Sequence, residues 1–198
     1  MGAVSSPGPA RLRELLAAYR PLDAAEAAQL ARVRALVDPA AGGQEDPWRR
    51  ALPLHVTASA LVVHPPDGRV LLRWHARQGT WLHVGGHGDP GESDPLAVAV
   101  REAVEETGLD DVTPWPDAAL RHVAVVPVPP SATEPAHEHA DLRFLLATGT
   151  PDRARAEDGV ARLRWLSAAE AAAETASASL REFLARVGPL LAGADSRT

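Results

Sequence analysis

One segment, residues 85–109, constrains the fold more than any other part of the chain, because a glycine-rich loop leads directly into a well-bracketed helix. Asp94 suits the N-cap, Pro95 suits the first helical position and Gly108 lies just past the end, so the pattern predicts a helix over about 94–107. At about 100° per residue, one face of this helix is predicted to be apolar and the opposite face acidic. The apolar face comprises Leu96, Ala97, Val100, Ala103, Val104 and Thr107, and the acidic face comprises Glu102, Glu105 and Glu106.

The acidic patch is unfavourable for an isolated helix. Like charges three or four residues apart repel by about a few tenths of a kcal/mol per pair, and the macrodipole disfavours anions near the helix C-terminus. A hard divalent cation would reverse this repulsion, because Mg²⁺ prefers carboxylate oxygens and keeps positions open for water and substrate phosphate. The alternative is a solvated acidic face, which is common for glutamates on helices.

The spacing of this segment resembles that of a known family. Gly86 and Glu92 are separated by five residues, and the helix ends in Arg101-Glu102, Glu105-Glu106 and Gly108-Leu109. These positions resemble the signature of the Nudix hydrolases. Two features depart from that signature: eight residues instead of seven lie between Glu92 and Arg101, and Ala103 stands where a bulky aliphatic residue is usual. The flanking strands extend the resemblance over about 50–190.

The resemblance implies a divalent-metal-dependent hydrolase that cleaves the pyrophosphate linkage of a nucleoside diphosphate derivative, of the nucleoside triphosphate or NDP-sugar type. Water would attack phosphorus with Mg²⁺ or Mn²⁺ present. Glu105 and Glu106 would hold the metal together with the Gly86 carbonyl. Glu102 would either hold the metal or accept the proton of the water, and Arg101 would orient Glu102. Since some Nudix enzymes take the general base from another loop, Glu138 and Glu157 are further candidates.

A second group of polar residues lies in the run 137–144, HEHADLRF. In an extended segment, His137, His139 and Asp141 share one side, whereas Glu138 points away. Imidazoles can donate hydrogen bonds to phosphate or base oxygens, so substrate binding is predicted for His87, His137, His139, Asp141 and Arg143. Solvated loop histidines are the alternative. Four other histidines have no assigned role: His55, His64, His75 and His122.

The remaining pattern predicts an α/β fold with a mixed β-sheet, a Nudix-like α/β/α sandwich. The hairpin has strands at 55–64 and 69–76, joined by a turn at Asp67-Gly68. Further strands are predicted at 80–86 and near 120–128, 141–148 and 160–166, and helices near 167–175 and 179–191. The predicted Nudix domain spans 51–193, and 194–198 form a tail.

Residues 1–50 are predicted to form a helical appendage and linker, with short helices at 10–20 and 23–37 and Asp23 as an N-cap. Each helix has an apolar face that needs a partner, which suggests packing against the domain or a homodimer contact. A DNA-reading helix pair is the alternative, but the nearly balanced charge of the region favours packing.

Composition excludes several classes of chemistry. The chain of 198 residues contains no cysteine, so disulfides, thiolate zinc sites and cysteine nucleophiles are absent and any metal must be held by oxygen or imidazole. An isomerase of this fold with cysteine chemistry is thereby disfavoured. A net charge of −6 argues against a general nucleic-acid binder, and no apolar stretch is long enough to span a membrane. We therefore expect a cytoplasmic protein with a small nucleotide substrate; a nucleotide-sensing module without turnover is the alternative.

Overall fold

The structure is a computed structural model that describes residues 8–157 and 161–194. A mixed sheet forms its centre, with strands β1 (Leu54–His64), β2 (Arg69–His75), β3 (Thr80–Leu82), β4 (Val84–Gly86), β5 (Thr113–Pro114), β6 (His122–Val128), β7 (His137–Ala147) and β8 (Leu163–Leu166). Five α-helices accompany it within the described residues: α1 (Gly8–Ala18), α2 (Ala24–Val37), α3 (Pro95–Thr107), α4 (Ala168–Glu174) and α5 (Ala178–Ala194). The predicted α/β class is confirmed.

Strand β1 organises the sheet. It runs parallel to β7, antiparallel to β2 near its end, and antiparallel to β4 in its middle. This register sets His55 opposite His139 and Ala58 opposite Gly86. Residues from distant segments of the chain, such as Gly86 and His139, are therefore neighbours along β1.

The two faces of the sheet carry different cores, because side chains alternate along each strand. Val56, Ala58, Ala60 and Val62 of β1 are buried in one cluster with α1, α2 and α3. Leu61 and Val63 of β1 belong to the other cluster, which contains the apolar side chains of α5. Helices thus cover both faces, as the predicted α/β/α sandwich requires.

Some predicted boundaries change. The strand predicted at 80–86 is divided at His83, with β3 paired to β2 and β4 paired to β1. Strand β7 begins at His137 rather than near 141, because β1 and β6 pair with it on both sides from its first residues. The two-residue strand β5 was not predicted. In the predicted tail, Ala194 ends α5, and 195–198 lie outside the described residues.

The predicted apolar face of α3 is partly wrong. Ala97 is exposed, whereas Val98 and Ala99 are fully buried. The buried face is therefore rotated from the predicted one, and it brings Glu102 and Glu106 beside the sheet instead of opposite to it. The caps are as predicted, since Asp94 accepts a hydrogen bond from the amide of Leu96 and Gly108 adopts a left-handed conformation.

The N-terminal helices share the core of the sheet. Leu12 and Leu16 of α1 and Leu30 and Val33 of α2 are almost completely buried. Arg32 of α2 pairs with Glu138 at the start of β7. The apolar faces that suggested a homodimer contact are thus occupied within the chain, and the homodimer stays a prediction without that support. No helix in the described part of the chain is long and apolar enough to cross a membrane.

Candidate active site

A pair of glycines allows α3 to approach the sheet closely. Gly85 has φ +147°, and a Cβ atom there would overlap the side chain of Ser59 on β1. A Cβ atom on Gly86 would lie 2.6 Å from the carboxylate of Glu102. Since only glycine leaves this space, the backbone of β4 lies directly against the acidic side of α3.

Arg101 links the acidic residues of the loop and the helix. Its Nη1 donates to Glu102 Oε1 at 3.0 Å and to Glu105 Oε2 at 2.8 Å, and its Nη2 donates to Glu92 Oε2 at 2.9 Å. Nη2 also donates to the backbone carbonyl of His87 at 2.9 Å. The additional residue between Glu92 and Arg101 is absorbed by the loop, because Glu92 still reaches the guanidinium.

Glu106 has separate partners. It accepts a hydrogen bond from the amide of Gly85 at 3.2 Å, and Arg73 of β2 lies 3.3 Å from its carboxylate. Arg73 was not singled out from the sequence, because β2 lies more than one element away from the box. The pairing of β2 with β1 brings this arginine to the acidic patch.

Burial and the neighbouring arginines shift the pKa values of these carboxylates in different directions. Burial raises the pKa of Glu102 and of Glu106, while Arg101 and Arg73 oppose that shift. The hydrogen bond from Arg101 lowers the pKa of Glu92. Glu105, by contrast, is exposed. The site therefore contains two partly buried carboxylates, for which positive charge is a strong stabilising influence.

The donor set fits a hard divalent cation. Three carboxylates, together with the backbone oxygen of Gly86 on the adjoining strand, are the ligand types that Mg²⁺ and Mn²⁺ prefer. The three carboxylates do not all have an oxygen within 4.8 Å of the others; among the described residues, the groups of three or more metal-binding side chains that converge in this way comprise one set of histidines. Arg101 holds Glu102 and Glu105, whereas Arg73 and the Gly85 amide hold Glu106.

The NUDIX domain family model matches residues 53–187. The chain belongs to the Nudix family. It is accordingly a Nudix-type pyrophosphohydrolase, an enzyme class that acts on acid anhydrides, and members of this family generally use a divalent metal and small nucleotide substrates. A search of curated protein sequences finds no match.

Solved structures share the Nudix fold. An Ap4A hydrolase of C. elegans in a binary complex is 20% identical, with a TM-score of 0.56, and the match covers 70% of this chain and 98% of that one. The E. coli dihydroneopterin triphosphate pyrophosphohydrolase is 21% identical with a TM-score of 0.50, over 67% of this chain and 92% of that one. A Nudix hydrolase of M. smegmatis, RenU, is 22% identical with a TM-score of 0.50, over 70% and 86%. At these sequence identities, the similarity to the solved structures shows a shared fold and nothing more.

The two general-base candidates outside the Nudix box differ in their surroundings. Glu138 is paired with Arg32, which lowers the pKa of its carboxyl. Glu157 is exposed, and its charge contributes to the raised pKa of Glu106. Glu157 is therefore close enough for its charge to act on Glu106, whereas Glu138 is paired with α2.

The predicted substrate-binding residues form two separate groups. His87, His137 and His139 lie together with His55, which had no assigned role, and the four rings are in contact. The signal that could have found His55 is its place at the start of the first strand, but its partners are 32 or more residues away and no local pattern connects them.

Asp141 and Arg143 form the other group, a buried network under α5. Arg143 donates to Asp141 Oδ2 at 2.7 Å and to the carbonyl of Ser179 at 2.8 Å, and Asp141 also accepts from Ser59. Burial opposes ionisation of Asp141, but Arg143 and His83 hold its pKa well below the usual range. These contacts join β1, β7 and α5. They occupy the polar atoms of Asp141 and Arg143 that a substrate would need.

Proposed function

We propose that this Nudix enzyme hydrolyses the pyrophosphate linkage of a nucleoside diphosphate derivative, of the nucleoside triphosphate or NDP-sugar type, with Mg²⁺ or Mn²⁺. The observation that carries the proposal is that Glu102, Glu105 and Glu106 line one side of α3 next to β4, where Glu102 packs against Gly86 and Glu106 accepts from the Gly85 amide. Arg101 and Arg73 compensate the negative charge of these carboxylates, as expected for a site that binds positive charge.

Each residue has a proposed task. Glu105, Glu106 and the Gly86 carbonyl would hold the metal, and Glu102 would either join them or accept a proton from the attacking water. When bound, the metal supplies charge neutralisation of the diphosphate and lowers the pKa of a bound water. Arg101 holds Glu102 and Glu105 in place through Nη1. Glu157, whose charge acts on Glu106, is the alternative general base.

The proposed substrate class is broader than the substrate of any one similar protein. The similar structures include an Ap4A hydrolase and a dihydroneopterin triphosphate pyrophosphohydrolase. Their shared element is a phosphoanhydride, which is the part of the substrate that the acidic patch and its metal would contact. We therefore assign the anhydride and leave the attached group to experiment.

The test is product analysis over a panel of nucleoside triphosphates, dinucleoside polyphosphates and nucleotide sugars, with Mg²⁺ or Mn²⁺ and isotopically labelled water. Metal-dependent incorporation of label into a phosphate product is expected. Glu105→Gln should reduce turnover by about 100-fold or more, because a metal ligand is lost. Glu174→Gln on α4, which lies on the other face of the sheet, is the matched control. Nucleotide binding without turnover over the whole panel would instead support a sensing module.

A further inference from the structure

Four histidines from three distant segments meet at one end of the sheet. His55 is the second residue of β1, His137 and His139 are the first and third residues of β7, and His87 follows β4. Parallel pairing of β1 with β7 sets His55 opposite His139. The ring centroids of neighbouring pairs are 4.9–5.2 Å apart. We define these four residues as the histidine cluster; it lies outside the carboxylate patch of α3.

The ring nitrogens of the cluster lie close together, in two hydrogen-bonded pairs and one group of three. The Nε2 atoms of His55 and His87 are 3.0 Å apart, and those of His137 and His139 are 3.2 Å apart. One ligand atom from each of His55, His137 and His139 lies within 4.8 Å of the others. In a tetrahedral zinc site with Zn–N bonds of about 2.0–2.1 Å, neighbouring nitrogens are separated by about 3.3 Å.

Backbone carbonyls orient two of the rings. His55 Nδ1 lies 3.0 Å from the carbonyl oxygen of Leu52, and His137 Nδ1 lies 2.9 Å from that of Pro135. Since a carbonyl only accepts, each Nδ1 carries the proton and each Nε2 presents its lone pair to the cluster. Metal-bound histidines are characteristically held in this way, with the other ring nitrogen donating to a carbonyl or carboxylate.

The charge state of the cluster suits a transition metal. Burial lowers the pKa of His139 to about 4, and it also lowers the pKa of His55. The imidazoles of His55 and His139 are therefore neutral near neutral pH, as ligation requires. A set of imidazoles favours Zn²⁺ and neighbouring first-row ions, whereas Mg²⁺ prefers the oxygen donors of the Nudix box.

We propose that His55, His137 and His139 bind one Zn²⁺ ion at a site separate from the carboxylate patch, with the His87 ring packed against His55. Such an ion would join the starts of β1 and β7, and the stacking of His55 on His87 would extend that link to the loop after β4. The backbone of that loop is also tied to the catalytic helix, since the His87 carbonyl accepts from Arg101. Metal binding at the cluster would thus stabilise the loop that supports Arg101.

The experiment uses the full chain without a polyhistidine tag, first depleted of metal with a chelator. Zn²⁺ is titrated calorimetrically, and Co²⁺ is added in parallel because its visible absorption reports tetrahedral coordination. We expect one ion per chain and a raised melting temperature in excess Zn²⁺. The double variant His137→Gln/His139→Gln should bind at least about 100-fold more weakly.

Two control variants separate this site from other histidines and from the Nudix box. His75→Gln changes a histidine outside the cluster, and Glu105→Gln changes the carboxylate patch; both should retain the zinc stoichiometry of the wild type. Circular dichroism checks that every variant folds. The proposal is overturned if folded wild-type protein takes up no Zn²⁺, or if the double variant binds it with unchanged affinity.

Discussion

Replacing Gly86 with alanine should disable the site while leaving the fold intact. A Cβ atom at residue 86 would lie 2.6 Å from the carboxylate carbon of Glu102, where ordinary contacts begin at 3.4 Å, so the carboxylate must retreat by about 0.8 Å. Arg101 holds that carboxylate from the other side at 3.0 Å. A displacement of about 1 Å at a reacting centre costs on the order of 100-fold in rate, and we expect a loss of turnover of that size.

The assay is metal-dependent turnover of the best substrate from the panel, with circular dichroism and urea unfolding measured on the same preparations. Gly149→Ala is the matched control, because its added Cβ would lie at an ordinary 3.6 Å from Asp111. Gly85→Ala should instead fail to fold, since its Cβ would overlap Ser59 on β1. Wild-type turnover in folded Gly86→Ala protein would refute the close packing of Glu102 against β4.

Two further predictions concern stability. Leu12→Ala, at a fully buried position of α1, should lower the free energy of unfolding by about 2–5 kcal/mol. The control Leu22→Ala, at a residue 71% exposed, should change it by less than about 0.5 kcal/mol. An unaltered main urea transition for Leu12→Ala would contradict a core shared by α1 and the sheet. Burial, together with Arg143 and Arg186, lowers the pKa of His122 from 6.5 to about 3, although Glu26 lies nearby. As the pH falls below about 6.5, His122 therefore takes up a proton in the unfolded chain but not in the folded protein. The free energy of unfolding decreases as a result. Between about pH 7.5 and about pH 5.5 this loss should be about 1.4 kcal/mol, and comparison of urea unfolding in wild type and His122→Gln should show it missing from the variant.

Local chemistry explains why several elements could be predicted. The bounds of α3 depend on an N-cap, a proline and a terminal glycine, all within the helix and its immediate neighbours. The first hairpin depends on alternating apolar residues around Asp67-Gly68. The helical spacing of the glutamates alone places them on one side of α3, so the acidic patch could be predicted from the sequence.

Other features depend on pairing between segments. The face that α3 buries is set by the sheet beneath it, so Val98 is buried and Ala97 exposed although both are apolar. The start of β7 lacks an apolar pattern, and only pairing with β1 and β6 makes it a strand. Arg73 reaches Glu106 for the same reason, because its strand is carried there by β1.

The sequence by itself determined the family, the capped helix and the identity of the three glutamates, since these depend on spacing within about 25 residues. Only the tertiary structure decided that Arg143 is buried beneath α5 and that His55 joins three other histidines. His55 and His139 are 84 positions apart, and a parallel strand register brings them together. Such contacts leave no local pattern, because chain folding rather than residue spacing sets the distance between them.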